Sequence, residues 1–331
     1  MRSNQKSIAV FFFLVLLACQ IPSAALPAPT QTPSLAPTIT ATATFAPTQT
    51  PSVTPTPAPL ARRVLILSID GFRPEIISLA PMPNLMNLMQ SSAYTLTAQT
   101  IYPSATLPAH ASMLTGYCPS MHGVDWNDYM PENGYAIGTD LFDIAHAAGF
   151  FTSMFVGKKK LQQVTGPESL DQFVYVNDRE SVLVDQLIEE FPQDFGLLFV
   201  HFPLVDGMGH EYGWLSWQQL SVAFRADEAF GRLLAELDAR GLRGETLIIV
   251  TADHGGHDVT HGSRRPEDMT IPWIASGPGI QPKALTAVVH TMDTAATAAF
   301  ALGLDAPDDW NGVPIYEAFG LPVIQESVQC E

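Results

Sequence analysis

RVLILSIDG, residues 63–71, is a continuous, mostly apolar run that stops at Asp70-Gly71. A run without polar alternation suits a strand buried on both faces of a parallel sheet. Similar runs recur at 151–156, 196–202, 246–251 and 272–275. Helix-like stretches lie between them, at 140–148, 179–190, 216–240 and 293–301. In the longest of these, Leu220, Phe224, Phe230, Leu234 and Leu237 fall near one helical face and predict its buried stripe. Strands alternating with helices predict an α/β fold, a mostly parallel central sheet covered by helices on both faces. In such sheets ligands gather at the carboxyl ends of the strands.

That rule collects a set of metal-ligand types. Asp70 follows the first run, Asp206 and His210 follow 196–202, and Asp253 and His254 follow 246–251. Each aspartate alone is a cap or turn former; three strand ends carrying them together point to a site. Two divalent ions need about six or seven protein ligands, with carboxylates and imidazoles mixed for zinc. These five residues and one more histidine make such a set. Gly207 and Gly209 predict a tight turn that brings Asp206 and His210 to one point. The stretch ADHGGHDVTHG, 252–262, holds three histidines and two aspartates, with Asp258 read as polar filling.

A nucleophile is offered by YPSATLPAHASMLTG, 102–116. Pro108 suits a first helical turn, so Thr106 falls at a helix N-terminus, where free amides favour anions. Metal coordination is what makes a threonine hydroxyl reactive at neutral pH.

IDGFRPE (69–75), YPSATLPAH (102–110), VDGMGH (205–210) and TADHGGH (251–257) together resemble the alkaline phosphatase superfamily, most of all its nucleotide pyrophosphatase and phosphodiesterase branch. The likeness extends over nearly all of residues 62–318. It implies an alkaline-phosphatase-like α/β sandwich with two zinc ions per chain, other divalent metals being alternatives. It implies that Asp70, Thr106, Asp253 and His254 hold one ion, and that Asp206, His210 and a later histidine hold the other. It implies a phospho-threonine intermediate on Thr106 and a small-molecule phosphoester substrate, a phosphodiester or nucleotide pyrophosphate. It also points to Asn127, in HGVDWNDYM, as a donor to the phosphoryl oxygens. The last histidine is His261, His290 or His257. His261 is preferred because it lies in the loop between Asp253-His254 and the 272–275 run, at the same sheet edge. The alternative activities are phosphomonoester or phosphonate hydrolysis on the same site, and, further off, a non-catalytic surface-binding role. A sulfatase fits less well, because its C/S-x-P-x-R motif is absent around Thr106.

Other residues read as bland. Lys158-Lys159-Lys160 reads as a solvated charge run, His201 as a core histidine, and Trp126, Tyr129 and Tyr212 as rim packing. His110 and His122 read as partners that orient ligands from outside the site.

The 331-residue chain has a separate start. Residues 1–19 carry a short basic stretch, an apolar core of eleven residues and Leu16-Leu17-Ala18-Cys19, which resembles a lipoprotein signal with Cys19 as the lipid attachment point. Residues 20–60 contain ten prolines, ten threonines and no charge, the composition of a disordered tether. The expectation is an extracytoplasmic catalytic domain, 61–331, anchored to a membrane by lipid. That domain has 14 basic and 33 acidic residues, a net charge of −19, which argues against a nucleic-acid-binding surface. Cys118 and Cys330 are left either to pair or to stay free.

Overall fold

The computed structural model describes residues 59–330. The leader and nearly all of the tether lie outside the described residues. Eight strands form one sheet: β1 (Arg63–Ile69), β2 (Ala93–Gln99), β3 (Phe151–Val156), β4 (Gln172–Tyr175), β5 (Phe195–Phe202), β6 (Thr246–Thr251), β7 (Thr270–Ser276) and β8 (Lys283–Ala284). Their order across the sheet is β4-β3-β5-β1-β6-β7-β2-β8. Every residue of β5 and β6, and all of β1 except Arg63, is buried. Because alternate residues face opposite sides, both faces of the central sheet are covered, as the unbroken apolar runs require.

The helices are α1 (Pro74–Leu79), α2 (Pro83–Met89), α3 (Thr106–Thr115), α4 (Pro119–His122), α5 (Leu141–Ala147), α6 (Glu180–Glu189), α7 (Leu204–Tyr212), α8 (Trp217–Ala239), α9 (Pro266–Met269) and α10 (Asp293–Leu302). One helical group is centred on α8, which packs on α1, α2, α6 and α7; the other is centred on α10, which packs on α3 and α5. Buried Asp227 of α8 accepts from the backbone N–H groups of Asn84 (3.0 Å) and Leu85 (2.8 Å), so one helix caps the start of another.

The sheet is mostly parallel, as expected; four details differ. First, the apolar runs do not mark β2, β4 and β8: β2 alternates polar and apolar residues, and β4 and β8 are short edge strands without a fully buried residue. Second, β7 runs antiparallel to both its neighbours, β6 and β2. The chain returns from β6 without a crossover, so the whole 252–269 connection stays at one sheet edge. Third, the buried stripe of α8 is Ala223, Ala226, Phe230, Leu233 and Leu237, whereas Leu220, Phe224 and Leu234 are only partly buried. Small alanines, invisible to a search for bulky residues, allow the close approach. Fourth, Asp206 and His210 sit on α7, one helical turn apart, and not in a tight turn. The helix itself aligns them.

Cys118 and Cys330 pair in a disulfide that closes a separation of 212 residues. It ties the C-terminal segment to the start of α4, next to α3.

Candidate active site

Four adjacent parallel strands, β3, β5, β1 and β6, deliver side chains to one place as they end. Asp70 leaves β1, Asp253 and His254 leave β6, and α7 follows β5 directly. Asp70, Asp253 and His254 place ligand atoms within 4.8 Å of one another, and so do Asp206, His210 and His261. The His254 and His261 rings stack with centroids 3.7 Å apart, which joins the two clusters.

Close backbone approach makes this convergence. Gly71 has φ +67°, and a Cβ there would lie 2.9 Å from the Asp206 Cα. Its N–H donates to Asp253 Oδ1 at 3.1 Å. Gly256, inside the HGGH stretch, passes so near Trp214 that a Cβ would lie 2.1 Å from its ring. Trp214 in turn donates from Nε1 to the Gly71 carbonyl at 2.9 Å.

The histidines are held in ligand form. His254 Nδ1 donates to the Gly255 carbonyl (2.7 Å), His210 Nδ1 to the Val259 carbonyl (3.0 Å) and His261 Nδ1 to the Ser104 carbonyl (2.7 Å). Each Nε2 is left with its lone pair free. Burial, then the neighbouring His254, lowers the His261 pKa to about 4, and burial lowers that of His254. Neutral imidazole is the form that binds metal. Of the other two candidates for the last histidine, His257 pairs with Asp268 at 2.6 Å and His290 bonds Ser327 at 2.7 Å. Only His261 joins a cluster.

Asp70 Oδ1, Asp206 Oδ1, Asp253 Oδ2 and His254 Nε2 are buried polar atoms without a hydrogen-bond partner. Such orphans are costly; others occur elsewhere, at Arg63, Trp126, Thr165, Arg243 and Thr291, but among the described residues every unpartnered buried carboxylate or imidazole atom belongs to the two clusters. The donor set, three carboxylates and three imidazoles, suits zinc or another divalent ion, so the residues fit the two-metal group.

Thr106 is the first residue of α3 and is buried, with Ala105 as the N-cap, and its side chain caps nothing. His110, one turn on, donates from Nδ1 to the Thr106 carbonyl (2.7 Å), and its Nε2 accepts from Ser68 Oγ (2.8 Å). Asn127 Oδ1 accepts from the Leu107 N–H and from Lys160 Nζ, both at 2.9 Å. That fixes the amide beside Thr106 and leaves its NH₂ hydrogens as the unused donors. His122, buried, accepts at Nδ1 from Val124 N (3.1 Å) and donates from Nε2 to Ser112 Oγ (2.9 Å), pinning the loop that carries Asn127 against α3.

Two residues read as bland belong to the site. His201 lies at the end of β5, and its Nδ1 accepts from the Gly157 N–H (3.3 Å). Its Nε2–H therefore donates to Asp70 Oδ2 at 2.8 Å. The lysine run does not point one way into solvent. Lys158 Nζ contacts Asp70 Oδ2 (2.7 Å), Asp206 Oδ2 (2.6 Å) and Thr106 Oγ1 (3.3 Å). Lys159 lies 4.5 Å over the Tyr129 ring, and Lys160 bonds Asn127. Burial lowers the Lys158 pKa, but Asp70, Asp206 and Asp253 outweigh it and raise the ammonium above its ordinary value. Burial also raises Asp70, yet Lys158 and His201 outweigh it and hold this carboxyl well below the usual range. Burial and then Asp70 push Asp253 well up. Lys158 follows β3, so the strand-end rule, applied to lysine as well as to acids and histidines, would have found it.

An alkaline-phosphatase-like sheet bearing two carboxylate–imidazole clusters beside a helix-terminal threonine defines the class. Within it, the profile of the type I phosphodiesterase / nucleotide pyrophosphatase family matches residues 64–273, and the chain belongs to that family. It is 28% identical over 217 residues to rat (Rattus norvegicus) ectonucleotide pyrophosphatase/phosphodiesterase family member 3, covering 58% of this chain and 24% of that protein. It is 25% identical over 218 residues to the bis(5'-adenosyl)-triphosphatase of Xenopus laevis, covering 58% of this chain and 47% of that protein. The chain thus spans less than half the length of these relatives. Among solved structures, murine ectonucleotide pyrophosphatase/phosphodiesterase 5 superposes with a TM-score of 0.66 at 18% identity, over 78% of this chain and 99% of that one. An inactive threonine-to-alanine form of the same murine protein, in complex with AMP, gives 0.65 at 17% identity, over 78% and 99% of the chains.

Proposed function

We propose that the chain is an exported, divalent-metal-dependent hydrolase of phosphodiesters or nucleotide pyrophosphates that works through a phospho-threonine on Thr106. The observation that carries this reading is the pair of clusters with orphaned ligand atoms, flanking a hydroxyl that caps nothing. Asp70, Asp253 and His254 with Thr106 would hold one ion, and Asp206, His210 and His261 the other. When bound, two zinc ions supply positive charge to the phosphoryl oxygens and ease loss of the threonine proton. The protein's own residues do the rest. The α3 start presents Thr106 Oγ1 to phosphorus; its proton passes to water, the Oγ1–P bond forms and the bond to the leaving oxygen breaks. Asn127 donates from its NH₂ group to a phosphoryl oxygen as charge develops. Water then attacks phosphorus, the P–Oγ1 bond breaks and Oγ1 regains a proton. The relatives' names and the inactive threonine-to-alanine murine form support this reading.

A second reading, a phosphomonoester or phosphonate hydrolase, is favoured by Lys158, a cation beside Thr106 suited to a more highly charged substrate. A phosphonate monoester hydrolase from Silicibacter pomeroyi shares the fold, with a TM-score of 0.63 at 16% identity. A panel of diesters, nucleotide pyrophosphates, monoesters and phosphonates, with zinc supplied, separates the two. Diester and pyrophosphate turnover is expected to exceed monoester turnover, and Thr106→Ala to fall to background. Near-normal turnover in Thr106→Ala would sink the nucleophile assignment.

Export and lipid attachment at Cys19 are part of the same proposal. The Cys118–Cys330 disulfide supports it, since such bonds persist in oxidising compartments. Among the described residues no helix is long and apolar enough to cross a membrane. Labelling with a radioactive fatty acid, lost in Cys19→Ala, tests the anchor.

A further inference from the structure

An ammonium has three N–H donors, and Lys158 has an acceptor for each: one carboxylate of either metal-ligand cluster, and the Thr106 hydroxyl. The chain is shaped for this. Gly157, just before it, runs so tightly past the start of α7 that a Cβ would lie 2.3 Å from the Pro203 ring. The lysine takes Oδ2 of Asp70 and Oδ2 of Asp206, while Oδ1 of each carboxylate is the orphaned atom. The lysine therefore leaves one oxygen of each carboxylate unused, and those oxygens would remain available to a metal.

We propose that Lys158 is a catalytic residue of this site. It is a fixed cation that links the two clusters through their outer carboxylate oxygens and stabilises the negative charge that Thr106 Oγ1 takes on as its proton leaves and again as the P–Oγ1 bond breaks. The inference rests on the proposed role of Thr106. The lysine keeps its proton throughout and acts by charge and by one hydrogen bond. That bond, 3.3 Å here, tightens as the hydroxyl loses its proton, as catalytic contacts commonly do. Charge-assisted donors of this kind act mainly on kcat, because the resting hydroxyl does not carry the charge they meet.

The test compares wild type with Lys158→Met and Lys158→Cys, each loaded with zinc and its metal content counted. Lys158→Met is expected to keep the wild-type metal content and a KM within about threefold, and to lose about 100- to 1,000-fold in kcat. Aminoethylation of Lys158→Cys, which restores an ammonium on a chain of similar length, is expected to recover at least about tenfold of that loss; treated wild type is the control. Metal-free Lys158→Met is expected to melt below metal-free wild type, because Asp70 and Asp206 lose their shared cation. A fully loaded Lys158→Met with kcat within about threefold of wild type overturns the catalytic role. If that variant does not load, failure of aminoethylation to restore kcat overturns it. Equal metal-free melting temperatures overturn the bridge. Absence of turnover in wild type itself overturns the proposed function instead.

Discussion

The two ligand clusters differ in how they are made and in what they face. Asp70, Asp253 and His254 are fully buried and leave the ends of neighbouring strands β1 and β6. Their spacing follows from sheet register. Asp206, His210 and His261 come from α7 and from the β6–β7 connection, and the His210 side chain is 44% exposed. One cluster is fully enclosed and set by sheet register; the other, at the rim, opens to solvent through His210.

That contrast can be broken by substitution on either side. Asp253→Asn keeps an acceptor for the Gly71 N–H but removes a buried ligand charge. It is expected to lose one metal ion, not recovered by excess zinc, and about 1,000-fold or more in kcat/KM, since a lost ion forfeits several kcal/mol of charge stabilisation. His210→Ala, on the rim, is expected to lose about 100-fold and to regain part of it as zinc is raised. Metal content and turnover, measured together across a zinc titration, check both. Equal losses, equally insensitive to zinc, would show that burial does not divide the clusters. By the same reasoning a chelator should strip the rim ion first.

A smaller effect separates the carboxylates. Asp70 is oriented by the His201 Nε2–H from inside the sheet. Among the described residues no histidine makes a comparable hydrogen bond to Asp206, which faces His210 at 3.4 Å and His261 at 3.7 Å. His201→Phe keeps the ring and removes the donor. The expected result is a 10- to 100-fold weaker hold on one of the two ions, the range typical for outer partners of ligands, with the circular dichroism of the fold unchanged. Competition with a fluorescent zinc chelator measures it, and two unchanged affinities would refute the orienting role.

Most of this site was legible because two simple signals coincide. Apolar runs mark buried strands, and metal-ligand residues stand where those runs stop, so Asp70, Asp206, His210, Asp253 and His254 were named from position. His261 was chosen over His257 and His290 because it stays at one sheet edge, and β7, running antiparallel, is what keeps it there. The lysine and the inner histidine were missed for one shared reason. Charge runs and strand histidines look alike in a sequence whether they meet solvent, packing or a carboxylate from 48 residues away, as Lys158 does at Asp206. The helix at 204–212 was missed because Gly207 and Gly209 argue for a turn. Its packing against α8 overrides their poor propensity, and a Cβ at Gly209 would in fact strike Trp214 and Gln219.

The rim cluster also depends on a support that the buried one does not need. α7 begins at Leu204, whose N–H donates to Glu180 Oε1 at 2.9 Å, and Glu180 is 2% exposed. Burial pushes this carboxyl up to about 7, against the lowering by backbone hydrogen bonds. The folded state thus holds the proton more tightly than the unfolded chain, whose value is near 4.5. Protonation of Glu180 therefore stabilises the fold; the contribution is full below pH 4.5 and is lost as pH rises through 7. Glu180→Gln keeps a carbonyl acceptor for Leu204 and carries no charge at any pH. Its melting temperature is expected to exceed that of wild type by roughly 2 to 5 °C at pH 8 and to converge on it near pH 5. Differential scanning fluorimetry across that range decides the point: a pH-independent difference would mean that the side chain acts through shape alone, and that its ionisation does not weaken the hold on α7.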